Sequence, residues 1–249
     1  MVTHADRLQA ARDTVNFICS RSAEEMQIPV PNCPPWTVYN AAVHIGKVGI
    51  AWQSMSEATP DDPESRTRGY ADAEARGSGH DPATLGSWAL AAIDSLDDDL
   101  DRACYFSMTG GHGTVALWGW HAASELAVHR LDVEAALGME PTISQPMAID
   151  ALTYAAQYFL PAMSRVTETN PGNFDLVATC DDATAITIPV QAHGAAGEDP
   201  QATLTGTPVD LLLAVWGRPH GAVEITGAAD VVDAWFQLPS QAFQLGTWD

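Results

Sequence analysis

Glu125 and His129 are four residues apart in a segment, residues 115–137, whose pattern predicts a long helix. Residues four apart lie on one face of a helix, so this carboxylate and this imidazole could both reach a single cation. His121 lies one turn earlier on the same face and extends the polar stripe. The same spacing is common in local hydrogen bonds on helix surfaces, so spacing alone leaves metal binding and a local contact open.

A second predicted helix supplies another imidazole. It begins near Trp36 and Thr37, with Thr37 as its N-cap, and His44 lies at the edge of its apolar stripe. Two histidines and one glutamate form a catalytic type of zinc site, in which one position stays open for water, a thiolate or a substrate. With more open positions, the same set can hold iron or nickel. The alternative for His44 is a core histidine that is hydrogen-bonded within the protein.

The elements that would position these side chains divide the chain into two parts. In the first part, apolar residues spaced by three and four predict helices at 3–26, 37–55, 81–105 and 115–137. Four such helices predict a four-helix bundle. The segment 59–81 is rich in Asp, Pro, Gly, Arg and Ser, and we predict that it forms a long polar loop.

The second part has a mixed helical and extended pattern. Its predicted helices lie at 147–169, 207–217 and 228–238, and its predicted strands at 174–180, 185–190, 202–205 and 222–226. We therefore predict an α+β protein, with a four-helix bundle over residues 1–144 and a small α/β domain over residues 145–249.

Composition excludes several kinds of partner. Eleven basic and thirty-two acidic residues give a net charge of −21, which repels nucleic-acid phosphates and anionic membrane surfaces. The four cysteines contain no Cys-x-x-Cys pair, which excludes a zinc ribbon. The sequence has no apolar run long enough to span a membrane and no apolar signal segment. We expect a cytoplasmic monomer without nucleic-acid or membrane partners.

Three segments give the chain a family resemblance. Residues 33–37 read Cys-Pro-Pro-Trp-Thr, and they resemble a signature Cys-Pro-x-Trp-Thr that is followed, seven residues after the Thr, by a His, here His44. Residues 125–132 resemble a second signature, Glu-x-x-x-His-Arg-x-Asp, and residues 205–218 resemble a C-terminal segment. Over nearly the whole chain, the sequence resembles the mycothiol-dependent maleylpyruvate isomerase family of DinB-like four-helix metalloproteins.

This resemblance implies a divalent metal, usually zinc, held by His44, Glu125 and His129. It also implies a C-terminal domain similar to sterol carrier proteins, and mycothiol or a similar low-molecular-weight thiol as co-substrate. The named activity isomerises maleylpyruvate to fumarylpyruvate, and relatives transfer a thiol to electrophiles. The chemistry is coherent, because a bound metal lowers the pKa of a thiol and only the thiolate is a good nucleophile.

Other residues are candidates for supporting roles. His121 is a candidate catalytic residue, as an outer partner of the metal site or a proton shuttle. Arg66 and Arg68, in the predicted loop, are candidates to attract a carboxylate substrate. Trp36 and Arg218 are candidates for binding the co-substrate, although packing would account for Trp36 and helix capping for Arg218.

Two residues beside the proposed ligands have two interpretations each. Asp132 follows His129 by three residues and would either orient that imidazole or pair with Arg130. Cys33 precedes a helix N-terminus, which lowers the pKa of a thiol, but we expect a packing role because the family uses an external thiol.

Three functions agree with these features. The first is a metal- and thiol-dependent isomerase or thiol S-transferase acting on a small electrophile. The second is a non-catalytic protein that binds a metal or an apolar ligand. The third is a metal-dependent hydrolase that uses water instead of a thiol. Metal binding by this set requires His44 to lie within about 6 Å of the other two ligands, because coordination bonds are only about 2 Å long.

Overall fold

The structure, a computed structural model, describes residues 1–192 and 197–244. The chain divides into two compact units, Met1–Ile143 and Ser144–Asp249. The first unit is largely helical and the second combines helices with a sheet, which confirms the predicted α+β class. In the described part of the chain, no helix combines the length and the apolar character that crossing a bilayer requires.

Four helices of the first unit form a bundle. The elements of this unit are α1 (His4–Cys19), α2 (Val38–Glu57), α3 (Glu64–Arg76), α4 (Pro82–Asp94), β1 (Ala103–Phe106), β2 (Gly111–Thr114) and α5 (Val115–Ala136). Helix α1 contacts α4 and α5, and helix α2 contacts the same two helices, while a further helix, α3, packs against α2. A short antiparallel hairpin, β1–β2, connects α4 to α5.

The prediction of a long polar loop over 59–81 is wrong, because this segment contains α3. The helix buries Ser65, Gly69 and Ala73, which recur every four residues and therefore share one face. A search for apolar residues overlooks such a face, since these three side chains are small rather than strongly hydrophobic.

The helix predicted over 81–105 is also too long. Its start is correct, since Asp81 caps α4, but the helix ends at Asp94. Negative charge is unfavourable at a helix C-terminus, and the acidic run of residues 97–101 lies just beyond this end. Residues 103–105, predicted as the last helical turn, belong to strand β1 instead.

Glycines bring the neighbouring helices close to α2. A Cβ atom at Gly49 would lie 2.9 Å from the Cα of Ala89 in α4, a separation that real Cβ contacts avoid. On another face, a Cβ at Gly69 of α3 would lie 2.8 Å from the Cα of Ala51 in α2. Backbone contacts on two sides therefore fix the rotation of α2, and with it the direction of His44.

Helix α5 is buried around most of its circumference. It begins at Thr114, whose side-chain oxygen accepts a hydrogen bond from the backbone N–H of Leu117. Several polar side chains on this helix are buried, among them His121, His129 and Asp132. Buried polar groups need hydrogen-bond partners, so the partners of these three define the candidate site.

The second unit is a four-stranded sheet with helices packed on it. Its elements are α6 (Gln145–Tyr154), a π-helical turn (Ala155–Phe159), α7 (Leu160–Val166), β3 (Phe174–Thr179), β4 (Ala185–Val190), β5 (Ala202–Gly206), α8 (Pro208–Val215), β6 (Glu224–Gly227) and α9 (Ala229–Gln244). The strand order is β4-β3-β5-β6, with β3 parallel to β5 and the other pairs antiparallel.

One face of this sheet forms the core of the second unit. Phe174 pairs with Val190 on one side and Ala202 on the other, and Leu176 pairs with Leu204 and Ile188; all six side chains are buried. Helix α8 packs against β3 and β5, and α9 packs against β5 and β6. The strands lie within two residues of their predicted positions.

The close packing of α2 against α4 gives a stability prediction. Gly49→Val should lower the free energy of unfolding by about 1–3 kcal/mol, because the added side chain must displace the backbone at Ala89. Urea unfolding measures this change. Gly79→Val is the matched control, since no atom lies within 4 Å of a Cβ there, and its effect should stay within about 0.5 kcal/mol. Equal effects of the two substitutions would contradict the observed helix contact.

Candidate metal centre

Two helices bring three potential metal ligands together. His44 of α2 and Glu125 and His129 of α5 each offer one ligand atom, and these atoms lie within 4.8 Å of one another. The Nε2 atom of His44 lies 3.2 Å from Oε1 of Glu125. His44 thus lies within the distance of about 6 Å from the other two ligands that metal binding requires, although 81 residues separate it from Glu125 in the chain.

His121 binds the other oxygen of the same carboxylate. Its Nε2 atom lies 3.0 Å from Oε2 of Glu125, and its side chain is 5% exposed. The rings of Trp52 and Trp118 each lie 5.3 Å from the His121 ring, edge to face. His121 is therefore held between aromatic rings, and its hydrogen bond restrains the orientation of the Glu125 carboxylate.

Glu125 is ionised under ordinary conditions. Burial raises the pKa of a carboxyl group, but hydrogen bonds and charge interactions with His121 and His44 outweigh it and hold the pKa of Glu125 well below 4.5. An ionised carboxylate is the form that binds a metal ion, so Glu125 needs no deprotonation before it can act as a ligand.

His129 is held by a second carboxylate. Its Nδ1 atom lies 3.2 Å from Oδ2 of Asp132, a side chain that is 1% exposed. A carboxylate only accepts, so Nδ1 carries the hydrogen and Nε2 of His129 is left as the metal-binding atom. Arg130 does not take part, because it pairs with Glu134 at 2.8 Å. The structure thus favours the orienting role for Asp132 over the ion pair with Arg130.

Folding favours the neutral form of His129. Burial lowers the pKa of this imidazole below 6.5, and the hydrogen bond from its ring to Asp132 offsets only part of that effect. Neutral imidazole is the form that coordinates metals.

Asp132 also contacts the loop that precedes α2. The side-chain amide of Asn32 donates to Oδ1 at 3.2 Å, and the thiol of Cys33 donates to Oδ2 at 3.3 Å. Cys33 therefore has a specific polar contact, and the packing role expected for it is incomplete. Cys33, His129 and Asp132 also form a second group with metal-ligand atoms within 4.8 Å of one another. Sequence reasoning missed Asn32, and its position next to the Cys-Pro-Pro-Trp-Thr segment was the available signal.

Trp36 covers one side of the cluster. Its ring centroid lies 5.0 Å from that of His44 and 5.9 Å from that of His129, with the latter ring stacked on it. The His44 side chain is 27% exposed, whereas that of His129 is 8% exposed. The cluster is thus more open at His44 than at His129.

The arginine candidates do not join this cluster. Arg68 forms a two-pronged ion pair with Asp62, at 2.6 and 3.2 Å. Arg66 lies over the ring of Tyr70 on α3, next to Ser65, whose carbonyl accepts from Ser54 of α2. Ser54 is ten residues beyond His44, which is about 15 Å along a helix axis. Both arginines lie on a helix rather than in the predicted loop, and neither is brought to the ligands.

Arg218 belongs to the second unit. It follows α8, and its guanidinium donates to the carbonyl of Trp216 at 2.7 Å, which agrees with a capping role at the end of that helix.

The donor set of the first unit fits a divalent metal. It provides one ionised carboxylate and two imidazoles, and each of Glu125 and His129 is oriented by a further hydrogen bond. Three protein ligands are typical of catalytic zinc sites, and second partners that fix a ligating imidazole and carboxylate are typical as well.

The fold and the candidate site together describe a two-unit protein. Its first unit is a helical bundle that gathers two imidazoles and a carboxylate, and a small α/β unit follows it in the chain. The family model for the N-terminal domain of mycothiol maleylpyruvate isomerase matches residues 8–134. The model for the C-terminal domain of the same family matches residues 146–234. The chain therefore belongs to the mycothiol maleylpyruvate isomerase family, as the sequence resemblance indicated.

Two solved structures are similar to this chain. One is a crystal structure of the mycothiol-dependent maleylpyruvate isomerase, with a TM-score of 0.56 and 16% identity over 90% of this chain and 93% of that chain. The other is a histidine-to-alanine mutant of that enzyme, with a TM-score of 0.57 and 17% identity over the same shares. At this identity the likeness shows the fold. A comparison with curated proteins found no match.

The two pKa shifts predict how the stability of the metal-free protein depends on pH. The folded pKa of His129 lies below 6.5, so the unfolded chain takes up this proton first and the free energy of unfolding falls as the pH drops below about 6.5. The folded pKa of Glu125 lies below 4.5, so a further fall is expected below that pH. Urea unfolding in the presence of a chelator measures both.

Substitutions assign each part of this profile. His129→Gln should flatten the dependence between pH 7 and 5, and Glu125→Gln should flatten it below pH about 4.5. A profile that His129→Gln leaves unchanged would show that this imidazole titrates normally.

Proposed function

We propose that this protein is a metal- and thiol-dependent enzyme of the maleylpyruvate isomerase type. The observation that carries the proposal is the set of ligand atoms from His44, Glu125 and His129, gathered within 4.8 Å in a chain that belongs to this family. Zinc is the metal we propose, because two imidazoles, one carboxylate and an open position are a catalytic zinc set. Iron and nickel are the alternatives.

Each residue of the centre has a role in this proposal. His44, Glu125 and His129 hold the metal, and a metal bound there would supply Lewis acidity that keeps a thiol ionised near neutral pH. His121 orients Glu125, and Asp132 orients His129. Trp36 shields the two imidazoles from water on one side and leaves the more exposed His44 side for the co-substrate and the substrate.

The reaction we propose is a cis–trans isomerisation by addition and elimination. The thiolate of mycothiol or a similar thiol adds to one carbon of an activated cis double bond, and the electron pair moves onto the conjugated carbonyl. The new carbon–carbon single bond rotates. The electron pair then returns, the carbon–sulfur bond breaks, and the thiolate leaves the trans isomer behind, so the thiol is regenerated.

A thiol S-transferase is the closest alternative, because it shares every step up to the addition. If a proton traps the adduct before elimination, the thiol remains on the product and is consumed. The proposed partners are the same in both cases, namely a small electrophile and a small thiol. The net charge of −21 favours such partners over nucleic acid. We propose a monomer that acts on them in the cytoplasm.

The other two functions have less support. A structural metal site is closed by four protein ligands, whereas the His44–Glu125–His129 set supplies three, which favours a catalytic site over a purely structural one. A hydrolase would use the same ligands with water as nucleophile, and the family membership favours a thiol instead.

Metal binding provides the first test. The wild-type protein, stripped with a chelator and dialysed against zinc, should retain one equivalent of metal per chain. His44→Ala and His129→Ala should each lose it, because two remaining ligands bind zinc weakly. The matched control is His112→Ala, since the side chain of this histidine is 83% exposed on the hairpin. Retention of metal by both ligand variants would refute the proposed centre.

Activity separates the candidate reactions. With maleylpyruvate and mycothiol, the zinc-loaded protein should form the trans isomer without net loss of thiol, and chelation should abolish turnover. Consumption of one thiol per product would indicate an S-transferase. Turnover without thiol would indicate a hydrolase. Absence of turnover with cis-enoyl acids and other electrophiles, in a protein that holds zinc, would favour the non-catalytic binder.

A further inference from the structure

The loop before α2 contacts Asp132 of the candidate metal centre, and the proposed function gives this loop no role. Asn32 and Cys33 lie in this loop, and together they contact both oxygens of Asp132, about one hundred residues away in the chain. Asp132 is 1% exposed and also binds Nδ1 of His129. Donors from two segments, among them Asn32, Cys33 and His129, therefore converge on a single buried carboxylate.

We propose that Asn32 and Cys33 are positioning residues for the metal centre and that they act through Asp132. They hold its carboxylate in the orientation that accepts a hydrogen bond from Nδ1 of His129. That bond keeps the hydrogen on Nδ1, so Nε2 stays free of hydrogen and able to bind a metal ion. The link to metal binding rests on the proposed function, whereas the effect on the His129 tautomer does not.

Burial makes the orientation of Asp132 depend on these donors. A carboxylate in the interior needs hydrogen bonds to replace lost water, and it turns toward whichever donors are present. The amide of Asn32 holds Oδ1, which leaves Oδ2 to receive both the Cys33 thiol and the His129 ring. Without Asn32 or Cys33, the carboxylate can rotate away, and the hydrogen bond to His129 is made for less of the time.

The loop itself is held firmly enough for this role. The N–H of Val30 donates to the carbonyl of Trp36 at 2.8 Å, and the N–H of Trp36 donates to the carbonyl of Cys33 at 2.7 Å. The next residue, Thr37, caps α2 through a hydrogen bond from its N–H to the side chain of Asn40 at 2.8 Å. The segment that contacts Asp132 thus also leads into the helix that carries His44. It therefore links the position of His44 on α2 to that of His129 on α5.

The first experiment uses the metal-free protein and reads the tautomer directly. Histidine labelled with nitrogen-15 distinguishes a ring nitrogen that carries hydrogen from one that does not, and His129→Gln assigns the signal of His129. Wild type should show hydrogen on Nδ1. Asp132→Ala should shift the population toward hydrogen on Nε2, and Asn32→Ala and Cys33→Ala should shift it in the same direction but less far. Cys33→Ser, which keeps a donor, should resemble wild type.

The second experiment measures zinc affinity in a double-mutant cycle. Loss of an outer partner typically weakens metal binding about 10- to 100-fold, and we expect Asp132→Ala to fall in that range. Asn32→Ala and Cys33→Ala should each weaken zinc binding in the wild-type background and have no further effect in the Asp132→Ala background. Cys19→Ala is the matched cysteine control and should leave affinity unchanged. Urea unfolding of each variant checks that the fold is retained.

The outcomes separate this inference from the proposed function. Hydrogen on Nε2 of His129 in wild type, or a tautomer that the loop variants leave unchanged, would overturn the positioning role. The positioning role would also be overturned if Cys33→Ala weakened zinc binding equally in the wild-type and Asp132→Ala backgrounds. If the cobalt-loaded protein then also showed a thiolate-to-cobalt absorption band, Cys33 would be a metal ligand instead. The expected tautomer shifts in a protein that binds no metal would leave the positioning role intact and refute the proposed function.

Discussion

Two carboxylates inside a helical bundle organise the candidate metal centre. Glu125 and Asp132 lie on α5, and both would be unfavourable in the interior without donors. Imidazoles supply donors to both: His44 and His121 bind Glu125, and His129 binds Asp132. Asn32 and Cys33 add two more donors to Asp132. In the metal-free chain, these hydrogen bonds make burial of the carboxylates tolerable and also bring a set of potential metal ligands together.

This arrangement requires that α2, which carries His44, and α5, which carries Glu125 and His129, keep a fixed position and rotation relative to each other. Small residues allow close contact of α2 with α3 and α4, and Thr37 and Thr114 define where α2 and α5 begin. A shift of α2 by one residue would rotate His44 by about 100° and remove it from the cluster. The packing of the bundle therefore fixes the place of each ligand, and the cluster is more exposed at His44 than at His129.

Family membership and the geometry of the candidate metal centre are two separate observations that point to the same residues. The family models match the sequence in two segments that coincide closely with the two compact units. The two solved structures share the fold at only 16–17% identity. The geometry adds what a fold comparison alone does not, because it shows which side chains of this chain meet and which remain apart.

Local patterns in the sequence were enough to predict most of the helices, the α+β class and the residues that could bind a metal, because periodic apolar patterns and i, i+4 spacing are local properties of the chain. It could not reveal α3, whose buried face consists of small residues, nor the hairpin that replaces the end of the helix predicted over 81–105. The folded chain was needed to show that His44 reaches Glu125 and that Asn32 and Cys33 contact Asp132. These contacts join segments far apart in the chain, and they depend on how helices pack, which no local pattern specifies. The folded chain also showed that Asp132 binds His129 rather than Arg130, a choice between near neighbours that spacing had left open.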